Sequence, residues 1–432
     1  MAWLGQHINL ETSPAVAGRV EGLKLDQMRE LCAVLGDPQR QQPTIHITGT
    51  NGKGSVARLV TALLGVHDLT VGTYTSPHLE TINERISRNG LSISDTALAE
   101  VLTDLSRVES LLPHRPSYFE LLTAAAFRWF SDEAVGAAVV EVGLLGRWDA
   151  TNVVDGVVAV LTNIGRDHTD GRGDWRRRIA EEKAGIVKEG STFVVGETDP
   201  ALSEVWAATP AEAIWYRDAD FACTGNALAV GGRMLDLRTP GGRYDEVFLA
   251  LHGSHQGDNA AIALAATEAF FGRPLDEDLV AEAFASVRNP GRFEVLQRDP
   301  LVILDGAHNP DGAQAVAEAL ATGFAVRGDR HLVVGVLDGR DPSELLEILG
   351  AGDAIEVVCC SPDSPRALPA ADLAAVVVRL GGRARVVPDV GEAVAVAMAA
   401  ATVSDVVLIT GSLYTVGAAR RAARAHGLVL DT

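Results

Sequence analysis

The sequence is poor in cysteine and in aromatic residues. Its 432 residues include four cysteines, at positions 32, 223, 359 and 360, and 5% aromatic residues. The cysteine spacings do not match a metal-binding pattern, and the vicinal pair Cys359-Cys360 is poorly placed for an ordinary disulfide. Reduced thiols in a cytoplasmic protein are therefore expected.

Positive charge is also scarce. The chain carries 37 Lys and Arg against 57 Asp and Glu, which gives a formal net charge of −20. A nucleic-acid partner is not expected, because binding one requires a basic face that replaces the counterions of phosphate. Uncharged apolar windows of about 18 residues are lacking, and residues 1–10 do not combine a basic segment with an apolar run. Neither a membrane partner nor a secretory signal is predicted.

What the sequence does contain indicates a large α/β enzyme. Short apolar runs alternate with segments of helical spacing, which predicts parallel sheets covered by helices. We predict a phosphate-loop-type, mostly parallel domain over residues 1–289. A small antiparallel patch is predicted to comprise Phe193 to Val195 and the segments between residues 214 and 251. A smaller Rossmann-like α/β domain is predicted over residues 290–432. The boundary falls at Asn289-Pro290-Gly291-Arg292, where Pro and Gly end a helix.

The most informative stretch is Gly49-Thr50-Asn51-Gly52-Lys53-Gly54-Ser55, which follows an apolar strand and leads into a predicted helix. Glycines let main-chain N–H groups approach an anion, a lysine neutralises phosphate, and a serine hydroxyl can reach a magnesium ion. The spacing of the first two glycines is shorter than in the standard phosphate loop. The alternative is a glycine-rich turn with an incidental lysine, but the flanking strand and helix favour a nucleoside-triphosphate site.

Two further clusters follow predicted strands, where open parallel sheets place their ligands. Ser76 lies in a proline turn, which has a purely structural explanation of its own. Glu141 interrupts an apolar strand, and a carboxylate there is costly unless it meets a cation. That cation could be a magnesium ion or the side chain of Arg147.

Other polar residues also allow two interpretations. His168 lies among acidic residues and could be either a magnesium ligand or a hydrogen-bonded surface group. Lys183 lies on a predicted helix, where a lysine normally pairs with neighbouring glutamates. Asp305 and His308 follow a strand of the second domain and could contact ribose, phosphate or substrate, while Asn309 could cap the next helix.

Nine segments, in this order, resemble the folylpolyglutamate synthase and dihydrofolate synthase family within the Mur-type amide ligases. They are GTNGKGS, TSPHL, YFE, EVGLLGRWDATN, DHTD, EEKAGI, PGRFEV, DGAHNP and TGSLYTVG. The resemblance implies an ATP-dependent ligase that joins L-glutamate to dihydropteroate, to folate, or to both. The carboxylate of the acid would take the γ-phosphoryl group to form an acyl phosphate, and the glutamate amine would displace phosphate.

The same resemblance implies a set of site residues. For ATP they are Gly49, Thr50, Asn51, Gly52, Lys53, Gly54, Ser55, Asn259, Arg292 and Asp305. For two Mg²⁺ ions they are Ser55, Ser76, Glu141 and His168. For the pterin substrate they are Ser117, Tyr118, Phe119, Glu120, Trp148, Asp149 and Ala150, with Phe119 suited to stacking on the ring. Catalytic roles fall to Lys53, Lys183, His168 and His308. Lys183 matches a lysine that is carbamylated in the family.

The resemblance also allows for a monovalent cation and indicates a monomer. The sequence departs from the family pattern at Leu145, where glycine is common, and at Trp148, where leucine is usual. Residues 336–341 lack a lysine often found there. These departures concern substrate preference. Alternatives are a Mur-type ligase for another acid, such as a cell-wall precursor, and a non-catalytic protein in which ATP sets the domain angle.

Overall fold

A computed structural model of the chain describes residues 3–9, 11, 24–166, 172–339 and 341–425. Its first sheet contains β1 (Thr44–Thr48), β2 (Val71–Tyr74), β3 (Ile86–Arg88), β4 (Leu91–Ser92), β5 (Ala137–Glu141), β6 (Gly156–Leu161), β7 (Thr192–Val195) and β8 (Ala213–Tyr216). The strand order is β4-β3-β2-β5-β1-β6-β7-β8. The six strands from β2 to β8 in that order are parallel, and β3 and β4 add an antiparallel edge.

Helices cover both faces of this sheet, as the apolar strands require. Val139 of β5 faces one core together with α2, α7 and α8, whereas Ala138 and Val140 face the opposite core together with α3 and α4. Because such a strand is buried on both faces, apolar side chains occupy successive positions and its sequence is a continuous apolar run. The helices are α1 (Asp26–Val34), α2 (Lys53–Val66), α3 (Asp95–Val108), α4 (Tyr118–Asp132), α5 (Trp175–Ala184), α6 (Ser203–Ala207), α7 (His255–Phe271) and α8 (Glu277–Ser286).

An antiparallel sheet of three strands lies beside α7. It consists of β9 (Ala222–Ala229), β10 (Gly232–Thr239) and β11 (Gly242–Leu249), joined by turns at the two Gly-Gly pairs. The prediction that residues 193–195 and the segment from residue 214 belong to the antiparallel patch is wrong, because they lie in β7 and β8. These strands pair in parallel with each other, and β7 pairs in parallel with β6.

The second sheet lies in the C-terminal part of the chain. It contains β12 (Glu294–Arg298), β13 (Leu301–Leu304), β14 (Arg330–Val334), β15 (Glu356–Cys359), β16 (Ala384–Val386) and β17 (Val406–Thr410). The order is β12-β13-β17-β14-β15-β16, in which only β12 is antiparallel. Its helices are α9 (Pro310–Gly323), α10 (Ser343–Ile348), α11 (Ala370–Arg379), α12 (Val390–Ala400) and α13 (Leu413–Ala425). The predicted fold class is confirmed.

The last helix joins the two sheet regions. Arg420 of α13 pairs with Glu80, which follows β2, and its Nε lies 3.0 Å from Glu294 Oε1. Gly417 packs against the carbonyl of Leu79 so closely that a side chain would not fit. The C-terminal region is thereby held over the edge of the first sheet where β1, β2 and β5 end. Within the described ranges, no helix is long and apolar enough to cross a bilayer.

Candidate active site

The loop between β1 and α2 is shaped by two glycines. Gly49 has φ of 147° and Gly52 has φ of 84°, conformations in which other residues are strained. A side chain at Gly49 would overlap the Thr162 hydroxyl, and one at Gly52 would lie 2.6 Å from Asn259 Oδ1. α2 begins at Lys53. Because the first turn of a helix has no intrahelical acceptors for its N–H groups, this end of α2 can receive an anion.

The loop is anchored to the end of β6. The main-chain N–H groups of Thr50 and Asn51 donate to the carbonyl oxygen and to the side-chain Oδ1 of Asn163, each at 3.0 Å. The Thr162 hydroxyl donates to the Asn51 carbonyl at 2.6 Å. The amides of Thr50 and Asn51 are therefore engaged within the chain, and the amides that face an anion would be those of residues 52–55.

Two lysines converge on one carbonyl oxygen of this loop. Lys53 Nζ lies 3.0 Å from the Gly49 oxygen, and Lys183 Nζ lies 2.8 Å from the same atom. Lys183 is only 5% exposed. Its expected role as a solvated partner of adjacent glutamates is wrong, because Glu181 pairs with Arg177 at 3.0 Å. The other neighbouring glutamate, Glu182, lies beside Arg147, which belongs to the connection between β5 and β6.

Glu141 is the last residue of β5 and is buried at the start of α2. Its Oε2 accepts a hydrogen bond from the Ser76 N–H at 3.1 Å, and a side chain added at Gly54 would lie 3.7 Å from that oxygen. Burial raises the pKa of Glu141, and the charge of Lys53 is the largest influence that lowers it. The alternative ion pair with Arg147 is wrong, because that arginine lies beside a glutamate of α5 instead.

Oxygen-bearing side chains around the start of α2 would suit a hard cation. Ser55 lies in the first turn of α2, Ser76 follows β2, and Glu141 ends β5, at the edge where the neighbouring strands β2, β5 and β1 end. Among the described residues, groups of three or more His, Cys, Asp or Glu able to hold a metal do not occur. Mg²⁺ commonly uses one or two carboxylates and takes its other ligands from water and phosphate. The donor set therefore fits Mg²⁺ bound together with a nucleotide.

Two histidines, His168 and His308, are predicted to be catalytic. His168 lies outside the described residues. His308 is half-buried just before α9, with Nδ1 3.2 Å from the Gly306 carbonyl oxygen. His308 lies in the C-terminal domain next to the start of α9, where Asn309 contacts the loop between β1 and α2.

The other predicted ATP contacts come from α7, from the linker Asn289-Pro290-Gly291-Arg292 between the two domains, and from the end of β13. Asn259 lies against the phosphate loop and donates to Gln256 on its own helix. Asp305 follows β13, and its oxygens accept N–H groups of Phe293 at 2.8 Å and Ala307 at 2.7 Å. Burial raises the pKa of Asp305, and the nearby charge of Arg292 lowers it.

Two asparagines cross from the linker and C-terminal domain to the phosphate loop. Asn289 Nδ2 donates to Ser55 Oγ at 2.8 Å, and Asn309 Nδ2 donates to Asn51 Oδ1 at 3.0 Å. Asn309 also caps α9 as predicted, because its Oδ1 accepts the Gly312 N–H at 2.8 Å. Sequence reasoning missed both crossing contacts, since an asparagine beside a proline signals only a turn or a cap.

The predicted substrate wall comprises residues 117–120 and 148–150, and polar side chains hold it in place. Ser117 and Glu120 cap α4 reciprocally: the Ser117 N–H donates to Glu120 Oε2 at 2.8 Å, and the Glu120 N–H donates to Ser117 Oγ at 3.3 Å. Buried Asp149 accepts the N–H groups of Leu144 at 2.7 Å and Thr151 at 3.0 Å. These polar atoms are engaged within the chain, so they shape the wall.

Apolar and aromatic groups form the surface of this wall. Phe119 packs against Gly143, where any side chain would overlap its ring. Tyr118, Phe119 and Ala150 are half-buried against the core beneath α4. Trp148 is 42% exposed and lies on the same loop as Gly143. These groups can offer flat contact area to an aromatic ligand.

Leu145 has a backbone conformation that explains why glycine suits this position. Its φ is 59°, in the left-handed region that favours glycine. Its carbonyl oxygen accepts the hydroxyl of Thr48 at 2.6 Å, which ties the loop to the end of β1. The departure at Leu145 therefore places a side chain where the left-handed backbone favours glycine.

Comparison with known proteins identifies two matching domain families. The Mur ligase middle domain matches residues 47–267, and the Mur ligase, glutamate ligase domain matches residues 291–413. The chain is 41% identical to the dihydrofolate synthase/folylpolyglutamate synthase of Mycobacterium tuberculosis over 92% of this chain and 89% of that protein.

Solved structures give the same picture. Escherichia coli FolC in complex with DHPP and ADP has a TM-score of 0.86 at 29% identity, covering 99% of this chain and 98% of that one. A bifunctional folylpolyglutamate synthase/dihydrofolate synthase with Mn, AMPPNP and L-glutamate bound has a TM-score of 0.83 at 31% identity, covering 94% and 95%.

Proposed function

This chain belongs to the dihydrofolate synthase/folylpolyglutamate synthase family of Mur ligases and is an ATP-dependent glutamate ligase, and from that premise we propose that its acid substrate is dihydropteroate, a folate, or both. The resemblance inferred from the sequence is thereby confirmed. Family membership disfavours the two alternatives, a ligase for a cell-wall precursor and a non-catalytic ATP-binding protein.

The observation that carries the proposal is the convergence of Lys53 and Lys183 on Gly49, beside buried Glu141. Forming an acyl phosphate brings a carboxylate up to a triphosphate, so several negative charges must be neutralised in one place. Lys53 and the N–H groups at the start of α2 supply fixed positive charge and dipoles there. Glu141 adds a carboxylate that is useful only if a cation joins it.

ATP would lie between the N-terminal and C-terminal domains and contact both. Its phosphates would take the amides of residues 52–55 and Lys53, while Asn259, Arg292 and Asp305 would hold the rest of the nucleotide. The acid substrate's carboxylate oxygen would attack the γ-phosphorus in line with departure of ADP. The glutamate amine would then add to the acyl carbon, lose a proton, and expel phosphate. His308, on the C-terminal side of the cleft, would contact glutamate or the departing phosphate.

Mg²⁺ is the proposed metal, in two sites. Ser55 would contribute to the first and Ser76, Glu141 and His168 to the second. The bound ions would neutralise phosphate oxygens and align them for transfer. The possible monovalent cation stays a prediction.

Lys183 is proposed to carry a carbamate. A carbamate forms when the neutral amine adds to carbon dioxide and releases a proton, and it keeps one N–H on Nζ. That N–H can still donate to Gly49, while the new carboxylate replaces a positive charge with a negative one. Lys183 would then serve as an oxygen ligand near the metal rather than as a phosphate-binding cation.

The acid would lie on the wall formed by residues 117–120 and 148–150. Phe119 and Trp148 would stack on the pterin ring, and Ala150 leaves room beside them. Ser117, Glu120 and Asp149 would act mainly by holding the wall, because their side chains are hydrogen-bonded inside the chain. Tyr118 would line the edge of the pocket.

A turnover assay tests this proposal. Purified protein is mixed with ATP, Mg²⁺ and L-glutamate, with dihydropteroate or tetrahydrofolate as the acid, and ADP and product mass are measured. We expect ADP release that requires both the acid and glutamate, with a product heavier by one glutamyl residue. Lys53→Ala is the matched control for contaminating activity. ADP release indifferent to either co-substrate would contradict the proposal.

A monomer in the cytoplasm is the proposed working form. Residues from both lobes of one chain supply the site, so a second copy is not needed to complete it. The four cysteines are unpaired with one another, as expected of a protein kept in a reducing compartment. Light scattering with size-exclusion chromatography tests the oligomeric state: a mass near 45.5 kDa is expected, and a stable dimer would contradict it.

A further inference from the structure

Asn289 connects the linker to the phosphate-loop serine. Its Nδ2 lies 2.8 Å from Ser55 Oγ, across 234 positions of sequence. Ser55 is buried, with 7% of its surface exposed, and Asn289 is half-buried. A hydrogen bond in such a place is not readily replaced by water.

The direction of this hydrogen bond leaves the serine free to act. A serine hydroxyl has one O–H donor and two acceptor lone pairs. The Asn289 N–H occupies one lone pair of Ser55, so the second lone pair can bind a cation while the O–H donates to a phosphate oxygen. The contact therefore fixes the hydroxyl without blocking it.

The linker places Asn289 through a tight turn. The Arg292 N–H donates to the Asn289 carbonyl at 3.1 Å, and Gly291 between them has φ of 70°. Pro at the second and Gly at the third position of a four-residue turn favour this geometry. The turn packs against Leu79, whose Cδ1 would lie 3.0 Å from a side chain on Gly291. Asn289 and Arg292 are thus held at the two ends of one rigid unit.

We propose that Asn289 is a positioning residue that orients the Ser55 hydroxyl toward the divalent cation of a bound nucleotide. The Pro290-Gly291 turn delivers Asn289 together with Arg292, so correct docking of the linker prepares Ser55 for the metal. This inference rests on the proposed ATP and metal site. It adds a dependence of metal binding on the linker.

The test measures ADP binding by calorimetry in Mg²⁺ and in EDTA, for the wild-type protein and for Asn289→Ala. We expect Asn289→Ala to reduce the gain in ADP affinity given by Mg²⁺ by roughly 10-fold, the scale of losing a group that orients a metal ligand. The affinity in EDTA should stay unchanged. A merely structural role would lower both affinities together.

A double-mutant cycle separates the path through Ser55 from other effects. Ser55→Ala and Ser55→Ala/Asn289→Ala should bind Mg²⁺-ADP equally, because Asn289 has nothing left to orient. Asn289→Leu, which keeps the volume but not the donor, provides the same comparison if the alanine variant unfolds at a lower temperature.

Equal loss of affinity in Mg²⁺ and EDTA, or a further loss in the Ser55→Ala background, would overturn the proposal. A wild-type protein that binds no ADP would instead contradict the proposed function. The two failures are therefore distinguishable.

Discussion

The Nζ atom of Lys183 lies 2.8 Å from the carbonyl oxygen of Gly49, although 134 positions separate the two residues in sequence. Lys53 Nζ lies 3.0 Å from the same oxygen. Two ammonium groups sharing one acceptor repel each other in a site with little solvent. Conversion of Lys183 to the proposed carbamate would remove that repulsion and still leave one N–H for Gly49.

We expect Lys183→Ala to lower turnover by about 100-fold or more, because an oxygen ligand near the metal would be lost. Acetate or formate should restore part of the activity by occupying the vacated space. Lys183→Arg keeps a donor for Gly49 but cannot be carbamylated, so it should be as inactive as the alanine variant. Steady-state ADP release measures all three.

A control on the same helix is Arg177→Ala, which removes an exposed ion pair with Glu181 and should leave turnover unchanged. Full activity in Lys183→Arg would show that a positive charge at Gly49 is sufficient and that no carbamate is required.

Glu141 provides a prediction that depends on pH. Burial raises its pKa, so the folded protein binds this proton more tightly than the unfolded chain does. Its contribution to stability is therefore greatest at low pH and is lost as pH rises from the ordinary value of 4.5 through the raised folded-state value. In EDTA at pH 8, Glu141→Gln should raise the unfolding temperature by about 2–4 °C, since it removes a charge that burial penalises.

The same variant should lose turnover and the stabilisation that Mg²⁺-ADP gives to the wild-type protein. Scanning calorimetry between pH 5 and pH 8 checks the direction, and the difference between the two proteins should shrink toward the acid end. A less stable Glu141→Gln in EDTA at pH 8 would mean that Lys53 and its neighbours already compensate the carboxylate.

Gly143 controls the position of Phe119. The methyl group of Gly143→Ala would overlap Phe119 Cζ, so the ring that we place in the pterin pocket would have to move. We expect the KM for dihydropteroate to rise by roughly 10-fold, as for about 1.4 kcal/mol of lost binding, while ADP affinity stays unchanged. Calorimetry with Mg²⁺-ADP provides the second measurement. An equal effect on ADP would indicate a wider distortion of the loop.

Much of the fold could be predicted from the sequence because parallel strands are buried on both faces. The run that forms β5 is apolar except for Glu141, and the chemistry-bearing residues follow β1, β2 and β5, whose carboxyl ends share one edge. The strand β12 cannot be predicted from its own pattern, because three of its five residues are polar and it lies at a sheet edge, where its formation depends on pairing with β13.

The sequence alone does not predict which way individual side chains point or how the two domains dock. Lys183 lies between glutamate and alanine on a helix, and only the packing of α5 against the phosphate loop turns it inward. The contact between Asn289 and Ser55 depends on the linker path, which local sequence does not determine. Asn309 shows both cases, because its cap is a local property and its contact with Asn51 is not.

Asn309 allows the cap and the crossing contact to be separated. Its Oδ1 accepts the Gly312 N–H, and its Nδ2 donates to Asn51 Oδ1. Asn309→Asp keeps an oxygen for the cap but places a second oxygen opposite the Asn51 acceptor, whereas Asn309→Ala removes both functions. We expect Asn309→Asp to keep the unfolding temperature and to lower ADP affinity equally in Mg²⁺ and EDTA, because Asn51 belongs to the loop and not to the metal site. Asn309→Ala should in addition destabilise the protein by about 1 kcal/mol through loss of the cap. Calorimetry of both variants checks the pair, and ADP affinity unchanged in Asn309→Asp would mean that this contact does not hold the loop in its binding conformation.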